Sequence, residues 1–178
     1  MLAVGFGRPD AAGIIDHALI LCADHELNAS TFAARVVAST GADLSACLIA
    51  GLAALSGPRH GTASDRVEAM LDAWPTPLTL PSPGCGHRLY PDGDPRVLPL
   101  LAPGVTAHTA EVLRAVVDAG EAPNVDFGLV AMRRFAGLPW GAGAVIFAVG
   151  RLAGWIAHVG EEQGRGVLIR PRARYVGA

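Results

Sequence analysis

The chain has 178 residues, 51% hydrophobic and only 17% charged, which supports one domain with a packed core and excludes disorder as its bulk state. A formal net charge of −2 provides no global field for nucleic acid or an anionic membrane. The 14 basic residues are all arginine, a side chain whose fork suits carboxylates.

Residues 10–40 read as helical, with Ile14, Ile15, Ala18, Leu19 and Leu21 at helical spacing and 27–39 continuing the pattern. Thr40-Gly41-Ala42-Asp43 breaks it, and Asp43 is the expected cap of a strongly apolar helix ending near Leu55. Ser56-Gly57-Pro58 closes that helix, and His60-Gly61 leads into the next, at about 63–73. The four prolines within 74–85 require a loop. Tyr90-Pro91-Asp92-Gly93-Asp94-Pro95 is a turn cluster, followed by a short helical run through Leu101. A helix over 106–119 takes Thr106 as its cap, another starts at Pro123 and runs through Phe135, and the last covers 141–162. An arginine-rich tail follows. Regular alternation, internal repeats and long linkers are absent from the sequence, so the expected fold class is all-α.

Cys22, Cys47 and Cys85 are widely spaced and form no CxxC, the pattern of reduced thiols in a cytoplasmic protein. The first nine residues lack the basic region and cleavage site of a signal peptide. The apolar run 44–55 is too short to span a membrane. The run 138–159 carries Arg151, His158 and several glycines, and reads as a buried helix rather than a membrane span. The scattered His and Cys have the wrong spacing for a zinc site, and no metal is expected.

Three short segments carry proton-transfer chemistry: Gly57-Pro58-Arg59-His60-Gly61, Gly84-Cys85-Gly86-His87, and Pro123-Asn124-Val125-Asp126-Phe127. Each sets one titratable side chain beside Gly or Pro, where backbone can approach a ligand closely. Taken singly, each has an ordinary structural reading: a hydrogen-bonded histidine, a glycine turn, a carboxylate at the positive end of a helix. Arg151 differs, because a guanidinium among apolar neighbours needs an anionic partner.

Together with Ala23-Asp24-His25-Glu26-Leu27-Asn28-Ala29-Ser30, these segments resemble the citrate synthase family in wording, order and rough spacing. The family form Gly-x-Gly-His, then a short stretch and Asp-Pro-Arg, is present at 84–96, and the C-terminal signature at Leu168-Ile169-Arg170-Pro171-Arg172. The resemblance implies an acyltransferase that condenses acetyl-CoA, as co-substrate, with oxaloacetate, without a permanently bound cofactor. It implies that Asp126 takes a proton from the acetyl methyl group. His60 then donates to the thioester carbonyl oxygen and His87 to the ketone oxygen. Arg96, Arg151 and Arg170 are the implied dicarboxylate clamp, with His25 and Asn28 contacting the same substrate. Phe147 packs against that substrate or belongs to the core. Gly84, Cys85, Gly86 and Asn124 are the implied CoA-binding residues. Because the matching C-terminal arginine of the family reaches into a neighbouring site, a homodimer is implied, with apolar helices such as 43–55 packed antiparallel.

The resemblance covers about 16–177, corresponding to the C-terminal portion of the family's chain. By that likeness, 10–57 and 123–178 belong to a large domain and 58–122 to a shortened small one. The wording is closest to citrate-synthase-like proteins fused to a helix-turn-helix segment, which this sequence lacks. Gly61-Thr62-Ala63-Ser64 stands where the family usually has Gly-Gly-Ala-Asn, so Thr62 places a side chain where a ligand approaches. Two readings follow: a citrate-synthase-type enzyme, or a non-catalytic or split-subunit module that binds a partner chain or senses oxaloacetate or CoA. Methylcitrate synthesis and citryl-CoA cleavage are close variants of the first.

Overall fold

The computed structural model describes residues 1–57, 60–61 and 63–177. Pro58, Arg59 and Thr62, and with them the expected Gly57-Pro58 turn and the side chain after Gly61, lie outside the described residues. In chain order the helices are α1 (Leu2–Gly5), α2 (Ala12–Ala23), α3 (Ala29–Ala38), α4 (Leu44–Leu55) and α5 (Ala63–Ala73). They continue with α6 (Val97–Leu101), α7 (Ala107–Asp118), α8 (Val125–Phe135) and α9 (Ala142–Arg165), and a 3₁₀ turn at Pro9–Ala11 precedes α2. There is no strand among the described residues, only an isolated bridge between Cys85 and Pro123.

Local chemistry sets most boundaries. Asp43 accepts from the Ala46 amide and Thr106 from the Thr109 amide, each satisfying an orphan N–H at a helix start. The helical reading of 10–40 is corrected by a break at 24–28. There Asp24 accepts from the Glu26 amide, Glu26 takes a φ of 47°, and Asn28 accepts from the Thr31 amide to start α3. Asp and Asn compete for backbone N–H groups, which interrupts a helix even where apolar spacing continues. The helix expected from Pro123 begins at Val125, because Asn124 caps it by accepting from the Asp126 amide, and α9 runs three residues past its expected end to Arg165.

Buried apolar side chains form two clusters. One, including Ile15, Ala18, Cys22, Ala34, Cys47, Leu129, Ile146 and Trp155, joins α2, α3, α4, α8 and α9. The other, Val67, Leu71, Val112, Val116, Phe127, Val130 and Ala131, joins α5, α7 and α8. Helix α8 feeds both, with Val125, Leu129 and Met132 in the first and Phe127, Val130 and Ala131 in the second, so it is packed on two faces. By length and composition α9 is apolar enough to cross a membrane. In the fold it packs on α2, α3, α4 and α8, burying Ile146, Arg151, Trp155, Val159 and Glu162.

Ion pairs tie helices together where burial makes charge consequential. Arg35 of α3 reaches Glu161 at 2.9 Å and the buried Glu162 at 2.5 Å on α9. Glu68 of α5, 2% exposed, accepts from Arg133 at 2.6 Å and Arg134 at 2.9 Å on α8.

Candidate active site

The break at 24–28 places His25 at the centre of the molecule's polar cluster. One cavity of about 320 Å³ is lined by His25, His60, Gly61, Ser64, Asp126 and Phe147, closed on other sides by apolar residues of α4 and α9. A second recess is lined by His25, Asn28, Gly86, His87 and Arg88. His25 belongs to both. Its ring lies edge-on to Phe147 on one side, at 5.2 Å between centroids, and to His87 on the other, at 5.4 Å.

Arg96 holds His25. Its guanidinium donates to His25 Nδ1 at 2.8 Å, and with Nδ1 accepting, the ring proton sits on Nε2. Arg96 is itself forked onto the buried Asp94 through bonds of 2.9 and 2.7 Å, and Asp94 also accepts from the Val125 amide at 3.0 Å. The Arg96–Asp94 pair is thereby anchored to the first turn of α8, the turn that carries Asp126. Burial, the positive charge of Arg96 and then His87 push the His25 pKa down to about 3, so it is neutral at ordinary pH. Against the effect of burial, the bonds from Arg96 keep Asp94 below the usual carboxylate range.

His87 stacks on Tyr90 at 4.9 Å and accepts from the Leu89 amide at Nδ1, 3.3 Å away, which leaves Nε2–H as its donor when neutral. The loop before it depends on Gly84, whose φ of 73° disfavours any side chain and whose Cβ would meet Val67 and Phe127. Cys85 next to it is a thiol pushed up to about 12 by burial and by Glu121, hence neutral. Asn124 donates from Nδ2 to the Gly86 carbonyl at 2.9 Å, coupling this loop to the cap of α8.

His60 is steered from α3. Its Nε2 is 3.0 Å from Ser30 Oγ, which is 2.9 Å from Asn28 Oδ1, the atom that caps α3. The Ser30 hydroxyl can point to either neighbour, and its direction decides which ring nitrogen carries the proton of neutral His60. Burial, then the charge of Arg151, lowers the His60 pKa and favours that neutral form. Asp126 is on the first turn of α8 and accepts from Ser64 Oγ at 2.9 Å. Burial raises its pKa, while the Ser64 bond and Arg66 oppose that rise.

Arg151 is fully buried. It donates to the Ala23 carbonyl and, at 3.0 Å, to Thr31 Oγ1, both neutral oxygens. Its Nε has no acceptor, and Nδ2 of Asn28 is likewise a buried donor without one among the described residues.

The fold therefore gathers His25, Asn28, His60, His87, Asp126 and Phe147 around the two adjoining recesses, with Arg96 joined to them through its bond to His25. Gly84, Cys85, Gly86 and Asn124 form the neighbouring loop, and Arg151 sits behind in the core. Arg170 stands apart: it lies exposed on the extended tail, whose Ile169 amide donates to Ser39 Oγ at 3.1 Å. The sequence reading gave no role to Ser64 or Asp94, and Ser30 appeared only inside a motif. The available signal was positional: Ser64 follows the His60 turn by four residues and Asp94 precedes Arg96 by two.

The family model described as "Citrate synthase, C-terminal domain" matches residues 1–172, so the likeness starts well before residue 16. Citrate synthase 2 of Bacillus subtilis is 39% identical over 184 residues, covering 90% of this chain and 50% of that protein. The crystal structure of citrate synthase from Thermotoga maritima superposes with a TM-score of 0.83 at 32% identity, over 99% of this chain and 56% of that one. The ternary complex of carboxymethyl coenzyme A and oxaloacetate with citrate synthase from Thermoplasma acidophilum gives 0.74 at 29% identity, over 99% and 56%. The chain spans about half the length of the curated relatives it matches.

Proposed function

This chain belongs to the citrate synthase family, and we propose that it condenses acetyl-CoA with oxaloacetate, giving citrate and CoA. The observation that carries this reading is the meeting of Asp126, His60 and His25 at one cavity, with His87 and Arg96 joined to it through the His25 ring. A buried carboxylate with a raised pKa is a stronger base toward a C–H bond than a solvated one. Asp126 takes the methyl proton, and an N–H of His60, protonated on Nδ1 when Ser30 turns toward Nε2, stabilises the enol oxygen. The enol carbon attacks the ketone carbon of oxaloacetate, and Nε2–H of His87 protonates the resulting alkoxide. Water then cleaves the thioester and releases the CoA thiol.

Oxaloacetate supplies the negative charge that the site's donors call for. Arg96 and Arg151 are the guanidinium groups assigned to its carboxylates, with Nε2–H of His25 and Nδ2 of Asn28 as further donors, while Phe147 closes the apolar side. The unmatched donors of Arg151 and Asn28 support an anionic ligand, since buried donors without acceptors are costly. Gly84, Cys85, Gly86 and Asn124 form the CoA-facing loop. By the family likeness, 10–57 with 123–178 form a larger unit and 58–122 a smaller one, and the second apolar cluster joins α5 and α7 of the smaller unit to α8 of the larger. Arg170, exposed on its tail, completes the clamp of a second copy in a cytoplasmic homodimer.

The test is release of thiol from acetyl-CoA that requires oxaloacetate. Asp126→Asn is expected to lower it by about 10²–10⁴-fold, the usual worth of one positioned proton transfer. An inert chain, with wild type and Asp126→Ala binding oxaloacetate alike, overturns the enzyme and favours the binding module.

A further inference from the structure

Ser64 is 4% exposed, on the first turn of α5, and its hydroxyl donates to Asp126 Oδ1 at 2.9 Å across to α8. It is a side chain with little freedom to turn elsewhere, aimed at the one carboxylate that lines the cavity of about 320 Å³. The charged and titratable groups around Asp126 come from several elements. Arg66 lies on α5, Asp94 and Arg96 on the turn before α6, and His25 and His60 share the cavity. Among these, Ser64 is the neutral donor in direct contact.

We propose that Ser64 is a positioning residue for Asp126: its hydroxyl orients the carboxylate and keeps it ionised in a cavity whose burial favours the protonated acid. This deepens the reading of Asp126 as the carbon base and rests on it for its catalytic meaning. A base must be deprotonated before it acts, so a buried carboxylate needs one donor strong enough to retain its charge and weak enough to leave it basic. A hydroxyl meets both conditions. An arginine fork in the same place would stabilise the carboxylate far more and blunt its basicity.

The experiment reads Asp126 directly. Protein labelled with ¹³C at aspartate side-chain carboxyls is titrated by NMR, and the Asp126 signal is identified by its loss in Asp126→Asn. Removing a hydrogen bond to a charged group in Ser64→Ala is expected to raise the Asp126 midpoint by about one pH unit, a tenfold gain in proton affinity. Ser64→Thr restores the wild-type midpoint, whereas Ser64→Val, of the same shape without the hydroxyl, repeats the shift. The Thr and Val pair keeps the test decisive if the cavity left by alanine disturbs folding. In the thiol-release assay the acid limb of the pH profile moves upward with the same variants, a displacement that loss of packing alone does not produce.

An unmoved Asp126 midpoint in both Ser64→Ala and Ser64→Val overturns the inference, whatever the activity. A midpoint that moves in a chain without any thiol release sustains the role of Ser64 while overturning the enzymatic reading.

Discussion

Arg96 donates to Nδ1 of His25 across 2.8 Å, so a permanent cation occupies the lone pair through which that imidazole would otherwise accept a proton. The result is a histidine that serves as a fixed N–H donor between two recesses and does not titrate near neutrality.

That contact has a signature in the pH dependence of stability. The unfolded chain protonates His25 near its ordinary 6.5, whereas the folded protein resists until about 3. The unfolded state thus binds more protons throughout that window, and the His25 contribution to stability falls as pH drops from 6.5 toward 3. The raised pKa of Asp126 acts with the opposite sign, so the His25 part is read as a difference. Urea midpoints at pH 7 and pH 5 are expected to separate more in wild type than in His25→Asn. Equal separations count against the assignment.

Asp94 fixes the clamp by a fork onto Arg96 and a bond from the Val125 amide. Asp94→Asn keeps the size and removes the charge. It is expected to cost about 1.5–3 kcal/mol in denaturant titration, the scale of a hydrogen bond to a charged group. It should also raise the oxaloacetate concentration needed for half-maximal thiol release, because Arg96 loses its brace. Unchanged oxaloacetate dependence would count against an anchored clamp.

Glu68 makes a separate, purely structural prediction. It is buried between Arg133 and Arg134, tying α5 to α8. Glu68→Gln removes the counter-charge of the largely buried Arg133, while Arg134 keeps its pair with Asp72, and the expected loss is about 3 kcal/mol in urea titration. Since α5 carries Ser64 and α8 carries Asp126, activity should fall at temperatures below global unfolding.

Arg151 predicts a contrast between free and liganded protein. Its partners are neutral oxygens, so Arg151→Met should change the ligand-free melting temperature by only a few degrees, a buried charge being costly to keep. Oxaloacetate should raise the wild-type melting temperature and leave that of the variant unmoved. Equal ligand-induced shifts would remove Arg151 from the binding set.

Helix boundaries were legible wherever a side chain announces them. Asp43 and Thr106 cap α4 and α7 as their positions imply, since capping depends on residues a few places apart. The break at 24–28 was hidden because its flanks keep the apolar period of a helix; only the competition of Asp24 and Asn28 for backbone amides reveals it. The site was legible as residue types beside Gly and Pro, but not as geometry. That Arg96 bonds His25, 71 positions away, or that Ser64 reaches Asp126, 62 away, depends on how α5, α8 and the loops pack. Arg170 marks the limit: its segment is recognisable in the sequence, yet the arginine lies exposed on the tail, apart from both recesses.

Asn28 has one further consequence. The oxygen that begins α3 also meets the serine beside the His60 ring, so the start of a helix and the alignment of an imidazole share a single atom. Fraying at that end, harmless in most helices, would here release the His60 ring from its serine. The α3 terminus is thus a place where the alignment of His60 can be lost on warming while the rest of the molecule keeps its shape.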